Sequence, residues 1–368
     1  MRVIPDTPAG DCPTAAKPKA FNHLRARAPA LYRGAPSPPI THARLMSINP
    51  NAHKGFARAA QLVLAYTMAV VLWGAYVRAT GSGAGCGRHW PRCNGQTIPR
   101  SPSAETIIEF THRATSGLAL LAVVALLLYG FRSLPKGAPA RAGAVASVVL
   151  MLTEAAVGAG LVLLELVGAN SSGWRAFMMA LHLVNTFFLL GALTLTAWWA
   201  TGAPRIRLRG QGAAAVLMLS AIVLTLIVGV TGAITALGDT LFPKTSVGLN
   251  LSPTAHFLER LRVVHPAIAI ATGLFVVLSG AAVRRMRPDP STVRFSRMLA
   301  WLFGLQIVAG TVNVVLLVPV WMQIVHLLLA DALWIALVLT AASALAERDP
   351  HGHVEETAQS RLPEPAVL

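Results

Sequence analysis

Ile107-Ile-Glu109-Phe110-Thr111-His112-Arg113-Ala-Thr-Ser-Gly117-Leu118 opens a run that is otherwise almost entirely apolar as far as about Tyr129. A carboxylate, an imidazole and a guanidinium are costly at the head of such a segment. An ionisable residue inside a membrane helix is a functional-site candidate by default. Glu109 and His112 are three residues apart, so on a helix they share one face. The reading of this stretch as a membrane span decides the fold, and the rest of the chain agrees with it.

The chain has 368 residues, 54% hydrophobic and 12% charged, with a mean hydropathy of +0.58. A soluble domain carries about 25% charged residues, so the composition implies a polytopic membrane protein. The net charge is +16; residues 1–45 hold seven Lys/Arg against Asp6 and Asp11, and without them +11 remains. Those cations are spread over short loops rather than gathered on one patch, which argues against nucleic acid as a partner.

Residues 1–45 are rich in Pro, Ala and Arg without an apolar run, and read as a disordered basic tail. Met46 is an alternative start, and a transit peptide ranks below it. Eight apolar segments follow, at roughly 56–77, 106–130, 144–167, 175–199, 212–236, 262–283, 297–319 and 322–346. Each is long enough to cross about 30 Å of hydrocarbon. Thirteen loop and tail cations (Arg132, Lys136, Arg141, Arg205, Arg207, Arg209, Arg284, Arg285, Arg287, Arg294, Arg297, Arg348, Arg361) fall on the side of both termini. Eight (Arg78, Arg88, Arg92, Arg100, Arg175, Lys244, Arg260, Arg262) fall on the other. The bias predicts both termini in the cytoplasm and the long loops after segments 1 and 5 outside.

The chain also repeats. Gly74 and Thr80 match Gly229 and Thr235, and Glu154-Ala-Ala-Val-Gly158 matches Gln306-Ile-Val-Ala-Gly310. Two copies of four segments share one topology, related by an axis along the membrane normal. The expected fold is an all-α integral membrane protein with eight transmembrane helices in two pseudo-symmetric four-helix bundles. Its divisions are a disordered basic tail over 1–55, a first four-helix domain over 56–200 and a cytoplasmic linker over 201–211. A second four-helix domain over 212–346 and a disordered tail over 347–368 complete it.

His112, His182, His265 and His326 fall one on each even-numbered segment, close to the outer end. The repeat pairs His112 with His265 and His182 with His326. Two inward imidazoles per bundle suit the axial ligation of a heme iron. A zinc site fits less well: the only ligand-type neighbour at helical spacing is Glu109, and there is no HExxH.

Glu109 has two readings. One is an i,i+4 ion pair with Arg113 that eases the burial of both. The other is a carboxylate beside a heme edge, acting as a base or stabilising positive charge. The second half has Arg262 and Pro266 at the positions of Glu109 and Arg113, so the carboxylate is confined to the first half.

Cys86-Gly-Arg-His-Trp-Pro-Arg-Cys93 lies in the first long loop, where an oxidising compartment favours a disulfide. The pair is either a staple, worth about 2–3 kcal/mol by loop closure, or a redox pair that exchanges with a thiol carrier. Cys12 reads as incidental, His89 as solvated and His256 as a weak candidate for a lid contact. Interhelical hydrogen bonding is the expected use of Glu154, Glu165 and Asp331.

Gly74-Ala-Tyr-Val-Arg78-Ala-Thr80-Gly81-Ser82-Gly83-Ala-Gly-Cys86, with Trp90-Pro91-Arg-Cys93-Asn-Gly95, resembles the first-loop signature of the heme A synthase family. Glu109-Phe-Thr-His112-Arg113 resembles its E-x-x-H-R motif. His182-Leu-Val-Asn185, Arg262-Val-Val-His265-Pro266 and His326 stand where that family has its other histidines. The resemblance covers about residues 56–346. It implies an eight-helix enzyme that oxidises the methyl substituent of heme O to a formyl group through the alcohol, with water as the expected oxygen source. It implies that 56–200 is a substrate-heme domain, with His112 and His182 on the substrate heme iron. It implies that 212–346 is a heme b domain, with His265 and His326 on a resident heme b. Glu109 would be the catalytic carboxylate, and Cys86 and Cys93 the family's first-loop disulfide pair.

Implied partners are a heme O synthase as supplier, a terminal oxidase subunit or chaperone as acceptor of heme A, an electron acceptor left unnamed, and the lipid bilayer. A homo-oligomer is left open. The implied location is a bacterial cytoplasmic membrane with the heme sites toward the outer face. Two departures stand out. Gly87-Arg88-His89 replaces the Pro-Asp the family often has before Trp, and residues 237–261 lack a second cysteine pair. The alternative readings are a diheme b-type cytochrome that only transfers electrons, from quinol for instance, and a transporter of parallel repeats.

Overall fold

Eight long helices carry the described residues. The computed structural model describes residues 50–244 and 255–347. Most of the tails predicted as disordered, with Cys12, Met46, Arg348 and Arg361, lies outside the described residues, as does part of the loop before His256. The helices are α1 (Pro50–Ala79), α2 (Ala104–Ser133), α3 (Pro139–Leu163), α4 (Gly173–Ala200), α5 (Ala213–Leu241), α6 (Val264–Met286), α7 (Pro290–Val315) and α8 (Val320–Ala344). A short helical turn, Phe257–Arg260, leads into α6. All eight are long and apolar enough to cross a membrane. Among the described residues no β-strand forms, and the only bridges are isolated ones at Cys93–Gln96 and Ile206–Ala346.

The helix ends follow local chemistry. Ser103 caps α2 by accepting the Thr106 N–H, and Ser172 caps α4 by accepting the Arg175 N–H, both at 3.3 Å. Pro139 and Pro290 open α3 and α7, where a missing N–H costs nothing. Three boundaries differ from the hydropathy reading. α1 starts at Pro50, six residues inside the stretch read as tail, because a polar turn extends the helix beyond its apolar part. α3 ends at Leu163, not 167, and Glu165 takes φ +54° in the loop that follows. The α7–α8 turn falls at Leu316–Pro319, with Leu317 and Val318 at positive φ. Its residues are apolar, so hydropathy does not register it.

The helices belong to one compact unit. One buried cluster is drawn from α1 to α4, including Phe56, Val123, Met151, Leu189 and Leu193. A second is drawn mainly from α5 to α8, including Ala221, Val276, Leu299 and Trp334, and takes in Phe187 and Leu190 of α4. α4 therefore serves both. The Trp334 ring stacks on Phe187 at 5.0 Å, and its Nε1 donates to the Phe187 carbonyl at 2.6 Å. In lipid, helices associate by close packing rather than by burying apolar surface from water. Small residues permit that approach. A Cβ at Gly273 would fall 1.7 Å from the Phe303 ring, and one at Gly143 2.4 Å from Thr196 Oγ1.

Candidate functional site

The four histidines sit at one end of the bundle. Each lies within the first ten residues of an even-numbered helix, at the end that carries the Cys86–Cys93 loop. His112 and His182 are within electrostatic reach of one another, and so are His265 and His326. The pairs thus form within each half, between α2 and α4 and between α6 and α8.

Each imidazole abuts a glycine of a neighbouring helix. A Cβ would stand 2.8 Å from His112 Cε1 at Gly74, 3.7 Å from His182 Cε1 at Gly158, 3.0 Å from His265 Cε1 at Gly232 and 3.2 Å from His326 Cε1 at Gly310. The sequence repeat paired Gly74 with Gly229. Gly229 instead faces Leu183 and Phe187, and Gly232, three residues on, lies against the histidine. One short motif on a helix leaves the register ambiguous by about a turn, and packing against the ring resolves it.

The ring nitrogens have distinct surroundings. Glu154 Oε1 lies 3.3 Å from His182 Nδ1. The same carboxylate accepts from Asn185 Nδ2 at 2.5 Å and from the Thr186 hydroxyl. In the second half Gln306, the repeat partner of Glu154, places its Nε2 3.3 Å from His326 Nε2. Thr231 Oγ1 is 3.0 Å from His265 Nδ1. The Nδ1 atoms of His112 and His326 are buried without a partner among the described residues. A buried polar atom left unpaired costs about 1–3 kcal/mol, so these two rings sit in the core at a cost.

Glu109 is 3% exposed and engaged on both oxygens. Oε2 accepts the Cys86 backbone N–H at 2.7 Å, and Oε1 accepts Arg113 Nε at 3.1 Å. Arg113 also donates to the carbonyls of Arg92, at 2.6 Å, and His89. The i,i+4 ion pair weighed from the sequence is therefore present, and it also ties α2 to the loop. Cys86 and Cys93 form a disulfide within that loop, and both are buried.

At the equivalent place in the second half the polarity is reversed. Arg262 Nη2 donates to the carbonyls of Gly238, at 2.5 Å, and Phe242, and Arg262 Nε lies 2.8 Å from Asp239 Oδ1. Glu109 thus tethers the loop after α1, and Arg262 the last turn of α5 and its C-cap Phe242. Arg78 of α1 joins the halves by donating to Ala236 O (2.6 Å), Thr240 Oγ1 (2.7 Å) and Gln323 Oε1 (2.9 Å).

Other polar residues divide. Glu154 makes the interhelical hydrogen bonds expected of it. Glu165 does not: it lies in the α3–α4 loop, 3.5 Å from Arg88, because the helix has already ended. Asp331 is fully buried, with neither carboxylate oxygen partnered among the described residues. His89 is exposed, as expected. His256 caps the turn at Phe257–Arg260, and its ring lies tilted against Phe242 at 4.9 Å. The sequence reading missed the glycines as ring neighbours and Glu154 as the group behind His182. The match of Glu154 with Gln306 was the signal that pointed to the latter.

A family model described as cytochrome oxidase assembly protein (COX15-CtaA) matches residues 57–338. The chain belongs to the cytochrome oxidase assembly protein family. All four histidines, Glu109 and the disulfide fall within the matched span. Among curated relatives, a protein of Thermus thermophilus named protoheme IX farnesyltransferase is 55% identical over 287 residues, covering 77% of this chain and 47% of that protein. A protein of Shouchella clausii named heme A synthase is 37% identical over 130 residues, covering 35% of this chain and 40% of that one. Another of that name, from Geobacillus kaustophilus, is 36% identical over 142 residues, covering 39% and 41%. The chain spans about half the length of the curated relatives it matches, or less.

Proposed function

We propose that this protein is a heme A synthase, an oxidoreductase that converts the methyl substituent of heme O to a formyl group through the alcohol, with water as the oxygen source. The observation that carries the reading is the paired, glycine-backed histidines, with a carboxylate behind only one of them. Relatives named heme A synthase and the family description support it.

In this reading residues 56–200 hold the substrate and residues 212–346 a resident heme b, as two related four-helix domains joined by the linker 201–211. His112 and His182 ligate the iron of the substrate heme O. Glu154 beside Nδ1 of His182 leaves Nε2 for the iron and orients the ring, as carboxylates behind metal-bound histidines do. His265 and His326 ligate heme b, and the fit is supported by Thr231 at His265 Nδ1, which leaves Nε2 of that ring for the iron. Ligation through His326 Nε2 requires the Gln306 amide to turn aside. Heme b, when bound, supplies a one-electron redox centre.

Glu109 is the catalytic carboxylate. With both oxygens already accepting N–H groups, it suits electrostatic stabilisation of positive charge at the reacting methyl carbon better than proton abstraction. Arg113 and the Cys86 N–H hold that negative charge in place. The Cys86–Cys93 loop covers this end of the chamber and limits water there.

The cation bias of the loops supports both termini in the cytoplasm of a bacterial cell, with the histidine end toward the outer face of the cytoplasmic membrane. The name of the Thermus relative, protoheme IX farnesyltransferase, supports a farnesyl-transferring heme O synthase as supplier of substrate. The family description supports a terminal oxidase subunit, or a chaperone serving it, as acceptor of the product.

The test is extraction and chromatography of hemes from the purified full chain. Heme b together with heme O and heme A is the expected outcome. Heme b alone would return the protein to electron transfer by a diheme cytochrome.

A further inference from the structure

At the end of the bundle opposite the disulfide loop, a hollow of about 650 Å³ opens between the α2–α3 turn and the segment after α4. Its apolar wall includes Phe131, Val145 and Trp199, and its cationic rim Lys136, Arg141 and Arg205. No acidic residue lines it among the described residues. Arg141 lies 4.5 Å over the Phe131 ring and donates from Nη2 to the Phe131 carbonyl at 3.4 Å. Arg205 Nη2 donates to Gly137 O at 2.6 Å. These contacts hold two guanidinium groups at the rim, while Lys136 and Arg205 stay exposed. Beneath the lining, Arg141 Nε and Trp199 Nε1 are buried without an acceptor among the described residues. The hollow is therefore rich in donors, poor in acceptors and apolar on the side that continues along the helices.

The depth matches this chemistry. α2 and α4 end here and α3 begins, so the hollow lies where hydrocarbon gives way to headgroups. A phosphodiester offers the acceptor oxygens and the negative charge, and its acyl chains continue against Val145 and the exposed face of α3. Basic pockets between transmembrane helices recognise anionic headgroups in this way, and arginine favours phosphate by its planar fork of donors.

We propose that this hollow is a binding site for one anionic phospholipid, held by its phosphodiester between Lys136, Arg141 and Arg205. Free phosphate shares the recognised group but not the acyl chains. The site uses no residue of the histidine chambers, so its test is independent of the heme reading.

The full chain, purified in neutral detergent, is offered equal amounts of phosphatidylglycerol and phosphatidylcholine, and retained lipid is counted by native mass spectrometry. One phosphatidylglycerol per chain is expected, retained in preference by roughly tenfold. Arg141→Gln with Arg205→Gln is expected to abolish the preference. Ala142→Trp, which fills the hollow and keeps every cation, is expected to do the same. Arg209→Gln, an exposed cation at the same end that does not line the hollow, is expected to leave it intact. Millimolar inorganic phosphate is expected not to displace the lipid. Equal retention of the two lipids, an equal loss in Arg209→Gln, retention by Ala142→Trp, or displacement by phosphate would each overturn the proposal. Should the double charge variant fail to fold, Ala142→Trp decides alone.

Discussion

Glu109 Oε2 accepts the backbone N–H of Cys86 at 2.7 Å, across 23 residues of chain. The carboxylate that opens α2's apolar run is thus the anchor of the disulfide loop, and Arg113 completes it through the Arg92 and His89 carbonyls. The two sequence readings of Glu109, ion pair and functional anion, are compatible: the contacts that pair the charge also fix its position.

Glu109→Ala is expected to keep resident heme b and to stop oxidation, measured as the ratio of heme O to heme A in extracts. Glu109→Gln keeps the acceptor for Cys86 N–H but loses the charge. If the charge is what matters, Gln is as inactive as Ala. Full turnover in Gln with loss in Ala would make Glu109 a tether only. Removing one partner of a buried ion pair costs about 3–5 kcal/mol, so the thermal midpoint of Ala is expected to fall as well.

His265→Ala and His326→Ala are each expected to deplete resident heme b, read from the reduced-minus-oxidised spectrum. His112→Ala and His182→Ala are expected to leave that band and to lose the substrate heme. Unchanged heme b in either second-half variant would reassign the two sites.

Gly74→Ala and Gly158→Ala separate ring displacement from mere added bulk. A Cβ at Gly74 meets His112 Cε1 at 2.8 Å, so the ring must move; at Gly158 the distance to His182 is an ordinary 3.7 Å. Gly74→Ala is expected to weaken substrate-heme binding while Gly158→Ala stays near wild type. Equal heme titrations for the two would show that the glycine contact does not set the His112 ring.

Glu154→Gln removes the charge behind His182 Nδ1 and keeps much of the shape. Loss of such a partner typically costs about 10–100-fold in metal affinity or activity. The loss is expected in heme O binding or turnover, with heme b content unchanged. A fall in heme b instead would place Glu154 in the service of the other half.

Cys86→Ser leaves the backbone N–H that Glu109 accepts. As a staple, the disulfide contributes about 2–3 kcal/mol, so the expected result is a lower thermal midpoint with turnover preserved. Loss of turnover in a well-folded Cys86→Ser protein would assign the pair a redox role.

Glu154 and Asp331 illustrate how far the sequence could be read. Both are carboxylates inside apolar spans, and nothing in composition distinguishes them. One meets Asn185, Thr186 and His182 on the facing helix; the other meets no partner among the described residues. The difference lies in the rotation of each helix about its axis, which hydropathy does not encode. Glu165 shows the complementary limit. Apolar residues continue past the end of α3, so the hydrophobic run overstates the helix by the loop that follows.

The sequence by itself determined the eight spans, because crossing hydrocarbon demands length and apolarity that are countable along one chain. It determined the four histidines as one imidazole on each even-numbered span, and the two cysteines as partners in one short loop. Only the tertiary structure decided which groups meet. It put Gly232 rather than Gly229 against His265, Glu154 behind His182, Asp239 beside Arg262, and Arg78 between the halves. Those partners lie from 23 to 245 residues apart and on different elements. Their meeting depends on helix rotation and crossing, which packing sets and a one-dimensional pattern does not carry.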